Sequence, residues 1–296
     1  MATRPTTPPT LDDALASFLR TLTGANKSSA TITAYRTDIA QFLAFLRETN
    51  CIVATPADVT RLDVAEYLNT LAGQGRSGIT RARKLAAIRE FFRFLEEHGY
   101  IGKNPTLGVE TPKKERSGRT ALRSDEYTKL LSLAGSSPRD YAILQVFLQT
   151  GVRVSELCAL TLEDSDFTTR TLRIGQGKGQ KERTIELEKK GIQAIKSYLV
   201  VRPPSPYREI FLNYQGEPLS DRGVRKMVAK YLKASGITKK ISPHSLRHTF
   251  ATYKAERGVS PYVLREWLGH ARLDTTQIYV HLARQNTKKV MEATSL

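Results

Sequence analysis

Along the first hundred residues, apolar side chains return every three or four positions, the spacing of helices that bury one face. "TLDDALASFLRTL" opens with Thr10 as N-cap and with Asp12 and Asp13 in the first turn, where they complement free backbone N–H groups. "SATITAYRTDIAQFLAFLRETN" aligns Ile32, Tyr35, Ile39, Phe42, Leu43 and Leu46 on one stripe. "TRLDVAEYLNTLAGQG" repeats the pattern and stops in glycine. "GITRARKLAAIREFFRFLEEHG" predicts a fourth helix, with Arg81, Arg83, Lys84, Arg89 and Arg93 beside an apolar face. Four helices over residues 11–104 make a small all-α bundle. The Pro/Thr-rich residues 1–10 are expected to be disordered.

The periodicity fails in "GKNPTLGVETPKKERSGRTAL", which holds Pro105, Pro112 and a Lys/Arg run, so residues 105–120 are expected to be a linker. A second domain is expected over 121–296, with a tail from about residue 283. "SDEYTKLLSLA" and "PRDYAILQVFLQTG" predict helices, the second apolar enough to be buried. "VRVSELCALTLEDSDF" predicts a short helix. "TTRTLRIGQGKGQKERTIELE" predicts a β-hairpin with Lys178 near its tip. Further helices follow. The fold class is mainly α with a small β-sheet, and no internal repeat is evident.

Composition narrows the setting. Apolar residues make up 40% of the chain and charged residues 25%, as in ordinary globular domains. No apolar run approaches the roughly 20 residues of a membrane span, and "MATRPTTPPT" has no apolar core of a secretory signal. Cys51 and Cys158 stand far apart without a CxxC partner, which points to the reducing cytoplasm and away from zinc–thiolate sites. The charge changes the picture most. Lys and Arg total 46 against 29 Asp and Glu, a net of +17. Through Arg116 there are 16 basic and 12 acidic residues, and beyond it 30 and 17. A basic excess of that size implies a polyanionic partner such as nucleic acid. "SDRGVRKMVAKYLKASG" spaces Arg222, Lys226 and Lys230 by four, with Arg225 beside them, a stripe that can follow phosphates.

Four places carry candidate chemistry. Arg153 and Glu156 follow the most apolar helix, where a salt-bridged structural pair is the ordinary expectation. Lys178 sits between glycines of the hairpin turn. "SPHSLRHTFAT" puts His244 and Arg247 three apart, on one helical face. "WLGHARLDTTQIYVHL" holds His270 and, nine positions on, Tyr279. A zinc hydrolase could use His244, His248 and His270. However, Ser245 stands where the zinc-helix motif needs glutamate, and Arg247 would crowd the cation. A regulator that only binds DNA would use the basic helix but gives no reason for the other residues.

Taken in order, "TGVRVSELCAL", Lys178 in its hairpin, "HSLRHTFAT" and "WLGHARLDTTQIYVH" resemble the signature blocks of the tyrosine recombinase (phage integrase) family, over the chain from about residue 11 to its end. The layout is most similar to the compact Xer-like members. The resemblance implies a SAM-like core-binding domain and an α+β catalytic domain, closing as a C-shaped clamp on double-stranded DNA. It implies Tyr279 as nucleophile, Arg153, Arg247 and His270 as phosphate ligands, His244 as general base, Lys178 as general acid, and Glu156 in support. Arg81, Arg83, Lys84, Arg89, Arg222, Arg225, Lys226 and Lys230 become DNA-binding candidates. No nucleotide cofactor is expected, because the phosphotyrosyl ester conserves the bond energy, and no metal, because arginines carry the charge stabilisation. The partners implied are a DNA recombination site and a homotetramer on two such sites, alone or with a related recombinase, each tail docking on its neighbour. A type IB topoisomerase shares the chemistry, but the compact two-domain layout favours the recombinase. An integrase or resolvase of a mobile element remains an alternative role. With about ten residues before the first helix, no arm-binding domain is expected.

Overall fold

The computed structural model describes residues 10–49, 53–113, 120–175 and 182–269. By its internal contacts the chain divides into two compact units, Met1–Ser117 and Gly118–Leu296.

The first unit is built from α1 (Leu11–Gly24), α2 (Ser29–Thr49), α3 (Arg61–Gly73) and α4 (Gly78–Glu97). Each start is written in side-chain caps: Thr10 accepts from the Asp13 N–H at 3.2 Å, Thr60 from Asp63 at 3.3 Å and Ser77 from Thr80 at 3.2 Å. These bonds satisfy donors that a helix N-terminus cannot pair internally. The core gathers Phe18, Ile39, Phe42, Leu46, Leu85, Ile88, Phe91 and Phe92, with Phe18 and Phe91 meeting edge to face at 5.6 Å. The chain after α4 stays with this core: Ile101 and Val109 join it, and Arg89 donates to the Val109 carbonyl at 2.5 Å and to Thr111 at 2.9 Å.

The second unit runs α5 (Ser124–Ala134), α6 (Pro138–Thr150), α7 (Val154–Cys158), β1 (Ser165–Asp166), β2 (Thr171–Ile174), β3 (Arg183–Glu186), α8 (Lys189–Val201), α9 (Asp221–Ser235), α10 (Pro243–Glu256) and α11 (Pro261–Leu268). The buried α6 packs against α5, α8 and α10, while α11 packs on α10 and on β3. The three strands form one antiparallel sheet in the order β1-β2-β3. The expected hairpin is there as β2–β3, with Leu172 opposite Ile185 and Ile174 opposite Arg183.

One stretch differs from expectation. "VRVSELCALTLEDSDF" is not one short helix: α7 stops at Cys158, a 3-10 turn covers Leu162–Asp164, and Ser165 begins β1. The backbone is drawn out of helical geometry by pairing with a distant segment. Ile210 N donates to Leu160 O at 2.8 Å and Leu162 N to Arg208 O at 3.1 Å. Asp164 then caps the turn by accepting from the Thr161 N–H and hydroxyl at 3.0 and 2.7 Å. Non-local bonds of this kind leave no trace in local periodicity.

Candidate active site

Two helix ends organise the site. Helix α6 stops at Gly151, which is left-handed at φ 60°, and α11 stops at Gly269, also at φ 60°. Both need glycine for space as well as for φ. A Cβ on Gly151 would lie 2.4 Å from Phe250 Cδ1, and one on Gly269 would lie 2.9 Å from the Arg183 guanidinium. Each end leaves carbonyls without helical partners, at the negative pole of the helix dipole. Arginines occupy them.

Arg247, one turn into α10, is only 3% exposed. Its Nη1 donates to Gly151 O at 2.8 Å, and its Nη2 donates to Leu268 O. The guanidinium therefore bridges the ends of α6 and α11, and its plane is fixed by both. Arg153 stands at the N-cap of α7 rather than inside it, with Glu156 at the third helical position. Glu156 accepts from the Arg153 backbone N–H at 2.8 Å and from its Nη1 at 2.6 Å. Arg153 Nη2 reaches Gly269 O at 2.9 Å, and its side chain keeps 35% exposure. His244, in the first turn of α10, is exposed, with Ser242 capping that turn and Pro243 at its first position. Arg153, Glu156, Arg247 and the last turn of α11 are thus joined. His248, four residues after His244, is buried where His244 is exposed. Lys178, His270 and Tyr279 lie outside the described residues, as do Cys51, residues 1–9 and the tail.

One residue joins the site that the sequence reading passed over. Arg183, on β3, is 93% shielded along its side chain and donates through Nη1 and Nη2 to the two Glu156 oxygens at 3.1 and 2.7 Å. Its Nε donates to Trp267 O at 2.6 Å. The available signal was strand alternation: Arg183 shares the inward face with Ile185, and an inward charge requires a partner. Burial alone would raise the Glu156 carboxyl. The Arg183 bonds, the Arg153 N–H and the two positive charges outweigh it and hold the group at about 2.

The basic candidates divide. Arg222, Arg225, Lys226 and Lys230 are all exposed on α9. Lys84 instead is 5% exposed; its ammonium donates to Asp38 at 3.1 Å and also to Gln41. Arg83, largely exposed, pairs with the same carboxylate. Lys84 is a core ion pair of the first unit, not an open surface charge. Arg89 is held by the Val109 carbonyl, and Arg81 is partly buried.

Residues 120–286 match the model of the phage integrase family, and residues 15–99 match its N-terminal SAM-like domain. The chain belongs to the phage integrase family. It is 37% identical over 267 residues to the tyrosine recombinase XerC of Thermodesulfovibrio yellowstonii, covering 86% of each chain. It is 35% identical over 291 residues to the XerD of Listeria innocua, covering 95% of this chain and 97% of that one. In fold it is similar to a lambda integrase tetramer bound to a Holliday junction, with TM-score 0.78 and 22% identity over 93% of this chain and 78% of that one. This phage integrase family member is a tyrosine site-specific recombinase. Its N-terminal unit is the SAM-like domain and its C-terminal unit the catalytic one. Among the described residues no helix is long and apolar enough to cross a membrane.

Proposed function

We propose that the recombinase cuts and rejoins double-stranded DNA in the manner of Xer enzymes, with Arg153, Arg247 and His270 holding the scissile phosphate. The observation that carries this reading is the junction of Arg153 and Arg247 at the end of α11, one residue before His270 in sequence. Two guanidiniums fixed by carbonyls meet the requirement for charge placed in advance of the transition state. The Tyr279 oxygen attacks phosphorus and gives its proton to His244. The bond from phosphorus to the 5′-oxygen breaks, and Lys178 protonates the leaving oxygen. A tyrosine pKa of about 10 makes both the base and the cationic surroundings necessary. The 3′-phosphotyrosyl ester keeps the bond energy, so a 5′-hydroxyl of the partner strand reverses the step without a nucleotide cofactor, and the arginines supply the charge stabilisation that a metal would otherwise give. Two rounds pass through a Holliday junction.

The exposed basic face of α9 serves the phosphates flanking the site. Four subunits assemble on two sites, and the segment after about residue 283 docks on the neighbouring subunit. A nicked suicide duplex, in which the cleaved 5′ end is lost, tests the chemistry. Covalent protein–DNA adduct is expected from the wild type and none from Tyr279→Phe, with DNA binding retained. Adduct from the phenylalanine variant would move the nucleophile to another tyrosine.

A further inference from the structure

The last turn of α11 presents three successive carbonyls, and each accepts from a different arginine: Trp267 from Arg183, Leu268 from Arg247 and Gly269 from Arg153. A helix end has carbonyls to satisfy, but backbone N–H groups or water ordinarily do so. Here three long side chains from β3, α10 and the start of α7 converge on one turn. Arg183 differs from the other two. It is too buried to reach DNA, and its donors are turned onto protein groups.

We propose that Arg183 is a positioning residue of the recombinase: by gripping both Glu156 oxygens and the Trp267 carbonyl at once, it fixes the Arg153 turn, the β3 stem and the end of α11 as one frame before DNA arrives. The inference rests on the reading of Arg153 and Arg247 as phosphate ligands. β3 begins five residues after Lys178 in sequence, so the same guanidinium anchors the strand that follows the lysine along the chain. Only a planar fork can serve two carboxylate oxygens and a carbonyl together. Gly269 leaves the room, since a Cβ there would press on Arg183 Nη1.

The frame has an electrostatic consequence. Glu156 faces Arg153 from its own turn and Arg183 from β3, while the Gly269 carbonyl of α11 shares the Arg153 guanidinium with it. Further along α7, α9 presents Asp221 to Cys158. Without Arg183, a buried carboxyl would keep its desolvation and lose its main counter-charge. Its pKa would rise, and proton uptake would release Arg153.

The test compares wild type, Arg183→Met, Arg183→Lys and Arg183→Met/Glu156→Gln on the suicide duplex at saturating protein, from about pH 5 to about pH 8, with half-site affinity measured alongside. Arg183→Met is expected to bind the half-site within about twofold of wild type while its first-order cleavage falls by about 10²-fold, the scale of removing one preorganised donor. Its rate should drop further towards acid pH, and Glu156→Gln in the double variant should remove that extra limb. Arg183→Lys keeps the charge and secures folding if the methionine variant does not fold; a loss of about tenfold is expected from it, since the fork is gone. A wild-type rate from either single variant overturns the proposal, as does an equal fall in affinity and cleavage with no acid limb. Arg247→Lys, run in parallel, separates the two readings: a near-wild-type rate from it would undo the phosphate-ligand reading, whereas its loss beside a wild-type rate from Arg183→Met would overturn Arg183 alone.

Discussion

Lysine at position 247 would keep the charge and lose the plane. Arg247 spans the Gly151 and Leu268 carbonyls with its two Nη atoms, and a single ammonium cannot meet both and still present a flat edge to phosphate. Cleavage by Arg247→Lys should fall by about 10²-fold or more at saturating DNA. Single-turnover rates on the suicide duplex check it, and a near-wild-type rate would reduce Arg247 to a source of attraction. At this scale the sequence was readable where a residue type is rare in its place. The i,i+3 spacing of Arg153 and Glu156, and of His244 and Arg247, drew attention because charge stood next to apolar runs. Arg183 was hidden because "KERTIELE" is rich in charge throughout, and only the pairing of β3 with β2 shows which of its charges turn inward. The bridging of α11 by three arginines was equally hidden, since carbonyl acceptors have no letter in a sequence.

Helices were the legible elements, because caps and a 3.6-residue stripe are local properties. Which face of a basic helix is free is not local. Lys84 and Lys226 look alike in sequence, yet Lys84 lies over Asp38 inside a bundle and Lys226 stands in solvent on α9. The difference comes from α2, whose Asp38 is itself 2% exposed and demands a cation. Two variants separate these roles. Lys84→Met should destabilise the first unit by about 3–5 kcal/mol, the cost of stranding a buried charge, with Arg83 pulling the loss to the lower end. Its DNA affinity, measured below the unfolding transition, should keep the wild-type dependence on salt. Arg222→Gln/Lys226→Gln/Lys230→Gln should instead leave stability nearly unchanged and flatten the slope of log affinity against log salt by about 2–3, at roughly 0.9 for each phosphate no longer neutralised. Denaturant melts and titrations at several salt concentrations report both quantities. An unchanged slope in the triple variant would remove α9 from the DNA interface.

Across the whole molecule, the basic excess lies mainly beyond Arg116, in the unit that holds the arginine frame, so in the proposed mechanism the charge that would attract DNA and the charge that would act on it share one domain. That concentration creates a need for control, since a preorganised frame would otherwise nick any site it binds. In the proposed assembly the tail "VHLARQNTKKVMEATSL" would supply a means. Leu282, Val290, Met291 and Leu296 recur among polar residues, too sparsely and over too short a length for an independent helix. Docking on a neighbouring subunit would give those residues a surface. It would also make the position of Tyr279, just upstream, depend on the neighbour's presence. A chain ending at Arg284 should then bind a single half-site like the full-length protein, because neither the α9 face nor the arginine frame is removed. On a full site it should lose cooperativity, since the link between adjacent subunits is gone, and recombination should collapse even though each subunit still holds DNA. Gel shifts on half and full sites beside a recombination assay distinguish the outcomes. If the shortened chain cooperates and recombines like the full-length protein, the tail plays no part between subunits, and the restraint on Tyr279 must come from within each subunit's own catalytic domain.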